Sequence, residues 1–198
     1  MKAADFDMSK DIRFDPENGF TTFMDSRLLI IATEAMGLLR HKLIEAIGME
    51  KARELLLQYG YQNGFSDFLQ MKLSHEFDTE SDLLASGPVI HTYEGIVKSV
   101  PEAFTWDREK GDFYHLGIWT NSWEAEQHLT FYQASKEPVC WTLMGYASGW
   151  CTAFFGAKIV AIEKECVGKG DATCKVEAKP PGDWDEKAKP YINALKDF

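Results

Sequence analysis

The segment KIVAIEKECVGKGDATCKVEA, Lys158 to Ala178, reads as two short strands folded back on one another. Lys158 to Glu165 is β-prone, Gly168-Lys169-Gly170-Asp171 supplies a tight turn, and Ala172 to Ala178 is the returning strand. Upstream, Pro138 suits the first turn of a helix that runs to Phe155 and is closed by Gly156. Ser122 before Trp123-Glu124-Ala125-Glu126 reads as an N-cap with acidic residues in the first turn, opening a helix that ends near Ala134. Val89 to Val100 and Asp112 to Asn121 are β-prone and joined by the turn-like stretch Asp107 to Gly111. Further back the period changes. From Ser26 to Ile47 the residues Leu29, Ile30, Ala32, Ala35, Met36, Leu39, Leu43 and Ile47 recur at helical spacing, and Gly48 ends the run. A second helix runs from Met49 past Tyr59, its apolar face continuing toward Phe65, Phe68 and Leu69.

The fold class this predicts is α+β, with N-terminal helices packed against a small antiparallel sheet domain. Three regions are expected: a helical packing or dimerisation layer over 1–80, the sheet domain over 81–180, and the polar start of a linker or connecting helix over 181–198, after Lys179-Pro180-Pro181-Gly182-Asp183.

Apolar residues make up 45% of the chain, enough to bury a core. The net charge of −10 and the lack of any Lys/Arg stripe argue against direct contact with nucleic acid. Met1 to Asp11 has no apolar centre and does not read as a signal peptide. The longest apolar stretch, Leu28 to Leu39, is interrupted by Glu34 and too short to span a bilayer. A soluble cytoplasmic protein with no membrane partner is therefore expected. In a reducing compartment its four cysteines are thiols or metal ligands sooner than disulfides.

Cys166 and Cys174 flank the turn of the hairpin, close enough for two thiolates to share an ion. Cys140 and Cys151 both fall on the expected helix, about 16 Å apart along its axis, so they cannot bind one ion together. A tetrahedral site then needs one non-cysteine ligand. Glu163 and Glu165 are both near; Glu165 adjoins Cys166 and points to the opposite face of the strand, whereas Glu163 can curl onto the ion at a bend. The set chosen is Cys140, Glu163, Cys166 and Cys174, with Cys151 a buried free thiol. Four protein ligands leave no open position, so the metal would be a structural zinc clamping helix to hairpin. The competing reading is of three free thiols in a core.

The run EPVCWTLMGYASGWCTAFFG from Glu137 to Gly156, with Glu163, Cys166, Gly168, Gly170-Asp171 and Cys174 behind it, resembles the 4-vinyl-reductase-type domain. Together with Gln58 to Gly64, Gly87-Pro88 and His91, Gly95 to Pro101 and Trp119 to Glu124, it resembles the sensor region of phenol- and xylene-responsive, sigma-54-dependent activators of the NtrC class. The similarity runs from about Phe20 to Trp184. It implies the same Cys, Glu, Cys, Cys zinc set; Lys169 stands where relatives often carry another cysteine.

The resemblance further implies that His91 and Trp119 meet the hydroxyl of a small aromatic effector. An indole N–H donates only, while a neutral imidazole can donate and accept, so the pair suits a buried hydroxyl. Relatives that respond to methylbenzenes tend to carry Tyr in place of this His, so His91 favours phenols. The apolar walls expected around it are Tyr93, Ile96, Tyr146, Trp150 and Ala161. Trp150 stands where Tyr is usual and Ala161 where an aromatic is usual, which reshapes the cavity toward a substituted phenol or something of similar size. By resemblance the domain forms a homodimer through its N-terminal region and restrains an ATPase domain of the same polypeptide until the effector binds. Two other readings compete. A vinyl reductase or zinc hydrolase would need a dinucleotide fingerprint or an open metal position, and neither is visible. A dimerisation scaffold with a degenerate pocket would bind no phenol at all.

Overall fold

A computed structural model describes residues 1–198. The architecture is α+β, as the sequence predicts, with six α-helices and two antiparallel sheets. The smaller sheet holds β1 (Ile12–Asp15), β2 (Phe20–Phe23) and β3 (Ser26–Leu28) in that order. Residues 26–28 therefore belong to a strand, and α1 spans only Thr33–Ile47. The apolar run that mimics helical spacing includes an extended connection in which Leu29 and Ile30 are 75% and 80% exposed. What decides the strands is local turn chemistry: Gly19 closes the first hairpin at φ 71°, and Met24 with Asp25 forms a two-residue turn with Met24 at φ 50°.

After Gly48, α2 (Met49–Ser74) is much longer than its first apolar face suggests. Its partner is α5 (Trp141–Phe155), and the two meet backbone to backbone. A Cβ placed on Gly60 or Gly64 of α2 would lie 2.0–2.1 Å from the carbonyl oxygens of Thr142 and Tyr146. On α5, a Cβ at Gly145 or Gly149 would lie as close to those of Leu57 and Tyr61. Four glycines thus set the helix separation.

Next comes α3 (Glu80–Tyr93), opened by Thr79, whose hydroxyl accepts from the Asp82 N–H. The sequence predicts a strand from Val89 onward; instead 89–93 complete this helix and β4 begins at Lys98. Val89 and Ile90 are β-prone and follow Pro88, but the capped helix buries Leu84, Gly87 and Ile90, and that packing overrides propensity.

The larger sheet has the order β4 (Lys98–Asp107), β5 (Asp112–Thr120), β7 (Cys174–Lys179), β6 (Val160–Glu165). Asp107 accepts from the N–H groups of Glu109 and Lys110 to shape the turn read in the sequence. Between β5 and α5 lies α4 (Trp123–Phe131), N-capped by Ser122 as expected but ending three residues early. Pro138 lies before α5, whose N-cap is Cys140, and Gly156 closes that helix at φ 83°. The tail, read as the start of a linker or connecting helix, includes α6 (Lys189–Ala194), with Tyr191, Ala194 and Leu195 buried. Gln58 on α2 donates to the Ala194 carbonyl at 2.9 Å. No helix is long and apolar enough to cross a membrane.

Candidate functional site

Two constellations lie on either side of the β5–β7 pair. The first is the cysteine cluster. Cys140 sits at the N-cap of α5, Glu163 on β6, Cys166 just past the end of β6 and Cys174 at the start of β7, all four buried. One ligand atom from each lies within 4.8 Å of every other. The β6–β7 register shifts between Glu163 and Glu165, a bulge that leaves Glu165 exposed and aims Glu163 inward. Cys151 is buried further along α5 and takes no part.

The donor set fits an ion. Cys140 Sγ stands 3.9 Å from the sulfurs of both Cys166 and Cys174, and thiolates on a tetrahedral ion with bonds of about 2.3 Å stand about 3.8 Å apart. Glu163 Oε2 accepts from the Cys140 N–H, while Oε1 is buried with no hydrogen-bond partner. Burial pushes the Cys140 thiol and the Glu163 carboxyl far up, whereas hydrogen bonds from the two neighbouring thiols draw Cys166 down. By themselves four such groups cannot all be anionic; a divalent cation among them permits it. Around them the Val167 N–H donates to Cys174 Sγ, Ser122 Oγ lies 3.2 Å from Cys140 Sγ, and Asp171 accepts from the Cys166 N–H. The cluster can hold a metal ion.

The second constellation is a cavity enclosed by α3, α5 and the β4–β5 ribbon, with about 500 Å³ of empty space including its mouth. Of the seven residues picked from sequence, His91, Trp119, Tyr146 and Trp150 line it. The His91 and Tyr146 rings lie 3.9 Å apart, and Trp150 stacks beyond Tyr146 at 6.1 Å. Two of the polar tips are already engaged: Tyr146 donates to Asp67 at 3.0 Å and Trp150 to the Leu84 carbonyl at 3.0 Å. His91 is different. Its Nε2 is buried without a partner, and burial lowers its pKa to about 3, so the ring is neutral.

Tyr93, Ile96 and Ala161 do not line the cavity. Tyr93, at the end of α3, is half-exposed and packs edge-on against Phe6. Ala161 is buried in β6, its N–H donating to Ser148 Oγ. Ile96 lies in the loop after α3, whose helical end turns it away. Sequence reasoning missed Leu84, Pro88, Ser99, Pro101, Phe104 and His115, and did not connect Cys151 with the pocket. His115 was findable, because it lies four residues before Trp119 on one strand and shares its face. Burial pushes the Cys151 thiol up to about 12, consistent with an inert wall residue.

Residues 7–107 match the model of a family described as activator of aromatic catabolism, and residues 119–180 match the 4-vinyl-reductase-type domain. The phenol regulator MopR of Acinetobacter guillouiae is 33% identical over 90% of the chain. The transcriptional regulatory protein XylR of Pseudomonas putida is 31% identical over 90%. The chain spans 32% and 31% of their lengths, about a third of each. Among solved structures, the phenol-responsive sensory domain of the transcription activator PoxR with phenol is similar, with a TM-score of 0.88 at 30% identity. That match covers 94% of this chain and 92% of the other.

Proposed function

Since the chain belongs to the family of activators of aromatic catabolism, we propose that it senses a small hydroxylated aromatic effector, taken into the His91–Trp119 cavity. The observation that carries this reading is the partnerless, neutral Nε2 of His91 in an otherwise apolar enclosure. A hydroxyl supplies what that nitrogen lacks, and an aromatic without one leaves it unpaired at a cost of about 1–3 kcal/mol. The regulatory relatives, and phenol in the PoxR domain, support a sensor over an enzyme.

Cys140, Glu163, Cys166 and Cys174 would hold a structural zinc, which joins the start of α5 to the β6–β7 hairpin and fixes the sheet beneath the cavity. The exposed apolar side chains of Leu29, Ile30, Leu38 and Leu39 support a homodimer formed through the N-terminal half. In a longer cytoplasmic polypeptide the empty domain would restrain a downstream ATPase domain, and effector would release it by binding the released state more tightly.

The test is calorimetric titration with phenol and with benzene. The protein should bind phenol and not benzene, and His91→Ala should abolish phenol binding without changing metal content. Equal phenol affinity in that variant, or equal affinity for benzene in the native protein, would refute the reading.

A further inference from the structure

The cavity extends well beyond His91. On β5, Trp119 and His115 line it four residues apart on one face, about 13 Å between their Cα atoms. Between them on that face stands Gly117. A Cβ there would lie 3.2 Å from His115 Nε2 and 3.5 Å from the Val100 carbonyl oxygen, so the glycine keeps the floor between the two side chains open. On β4, Ser99, Pro101 and Phe104 oppose Trp119, Gly117 and His115 in register. One trough therefore runs from the Trp119 end to the His115 end.

The far end is polar. His115 Nδ1 is buried with no hydrogen-bond partner, and burial lowers the pKa of this ring to about 4, so it too is neutral. A lone orphaned nitrogen in a core is a defect that costs about 1–3 kcal/mol. One at each end of a single trough matches a ligand with two polar groups. No Lys or Arg lines the cavity, so a carboxylate would enter uncompensated and is disfavoured.

We propose that the effector carries, across the ring from the hydroxyl met by His91 and Trp119, a second neutral hydrogen-bonding substituent received by His115. A phenol bearing a hydroxymethyl, hydroxyl or carbonyl group fits; phenol itself and simple alkylphenols leave His115 unpaired. This rests on the effector-sensing reading above and names the class of molecule for that same site.

The test is calorimetric titration of the full chain with phenol and with two pairs of equal size, 4-ethylphenol against 4-hydroxybenzyl alcohol and 3-ethylphenol against 3-hydroxybenzyl alcohol. In at least one pair the alcohol should bind about five-fold or more tightly than the ethyl compound. His115→Leu should erase that preference while phenol affinity changes less than about two-fold. If the native protein binds phenol but ranks each ethyl compound equal or higher, or if the variant keeps the preference, the subsite is overturned. Failure of the native protein to bind any of the five compounds would instead overturn the sensing reading, and the subsite with it. Should His115→Leu not fold, Gly117→Val takes its place. It should keep phenol and lose the larger ligands of the preferred pair; unchanged affinity for that pair overturns the proposal.

Discussion

Trp119 and Cys174 are directly opposed in the β5–β7 pair. One lines the aromatic cavity and the other belongs to the metal cluster, so the two constellations are a single strand spacing, about 4.8 Å, apart. The cluster is thus a foundation for the pocket.

Removing a thiol should therefore affect both. Cys174→Ser is expected to drop the metal content well below one per chain and lower Tm by about 5 °C or more. Phenol affinity should fall with it, although the serine touches no effector. Elemental analysis, a thermal melt and a titration check this; retention of one full zinc equivalent would refute the site.

The two buried imidazoles make stability depend on pH. His91 and His115 have pKa values of about 3 and about 4 in the fold, below the 6.5 of an exposed histidine. The unfolded chain therefore binds more protons below pH 6.5, and stability present above that pH is lost as pH falls toward the folded values. The pair should make the protein about 2–3 kcal/mol less stable at pH 5.5 than at pH 7.5. Urea unfolding at both pH values measures it, and His115→Phe should remove about half of the difference. A pH-independent midpoint would show that the rings are solvated.

Glu124 is fully buried and caps α5 by accepting from the N–H groups of Thr142 and Leu143 and from the Thr142 hydroxyl. Arg40 on α1 lies 3.5 Å from it, stacks over Trp141 and donates to the Val139 carbonyl. Arg40→Leu leaves that carboxylate uncompensated and should cost about 3–5 kcal/mol. Adding Glu124→Gln should recover a large part of the loss, because the charge is then gone. Denaturant titration of the single and double variants decides it; additive losses would mean that the two charges do not interact.

At Gly149 the added methyl of alanine would sit 2.0 Å from the Tyr61 carbonyl oxygen. Gly149→Ala should destabilise by about 1–3 kcal/mol through helix separation, despite alanine's better helix propensity. A rise in Tm would show that α2 and α5 can part without cost.

How much could be read beforehand follows the range of the interactions. The cysteine cluster was legible because hairpin geometry brings Cys166 and Cys174 together and only Glu163 or Glu165 could complete the set; the bulge at Lys164 settles which one points inward. The strands β1 to β3 were hidden because each is only three or four residues long and followed by apolar residues at helical spacing. His115 and Phe104 went unseen as cavity residues because their role depends on α3 lying across the β4–β5 ribbon, a long-range arrangement that no local pattern encodes. Tyr93 and Ile96 were misplaced for the same reason, since α3 was read as strand.

The glycine seam between α2 and α5 has a mechanical outcome. Gly64 rests on the backbone of Tyr146, and Asp67 one turn on holds the Tyr146 hydroxyl, so the residue that forms the roof over His91 is bolted at both ends to α2. With no side chains between the helices to yield, a push on that roof shifts α2 as a stiff rod. The N-terminal half then feels the occupant of the cavity directly.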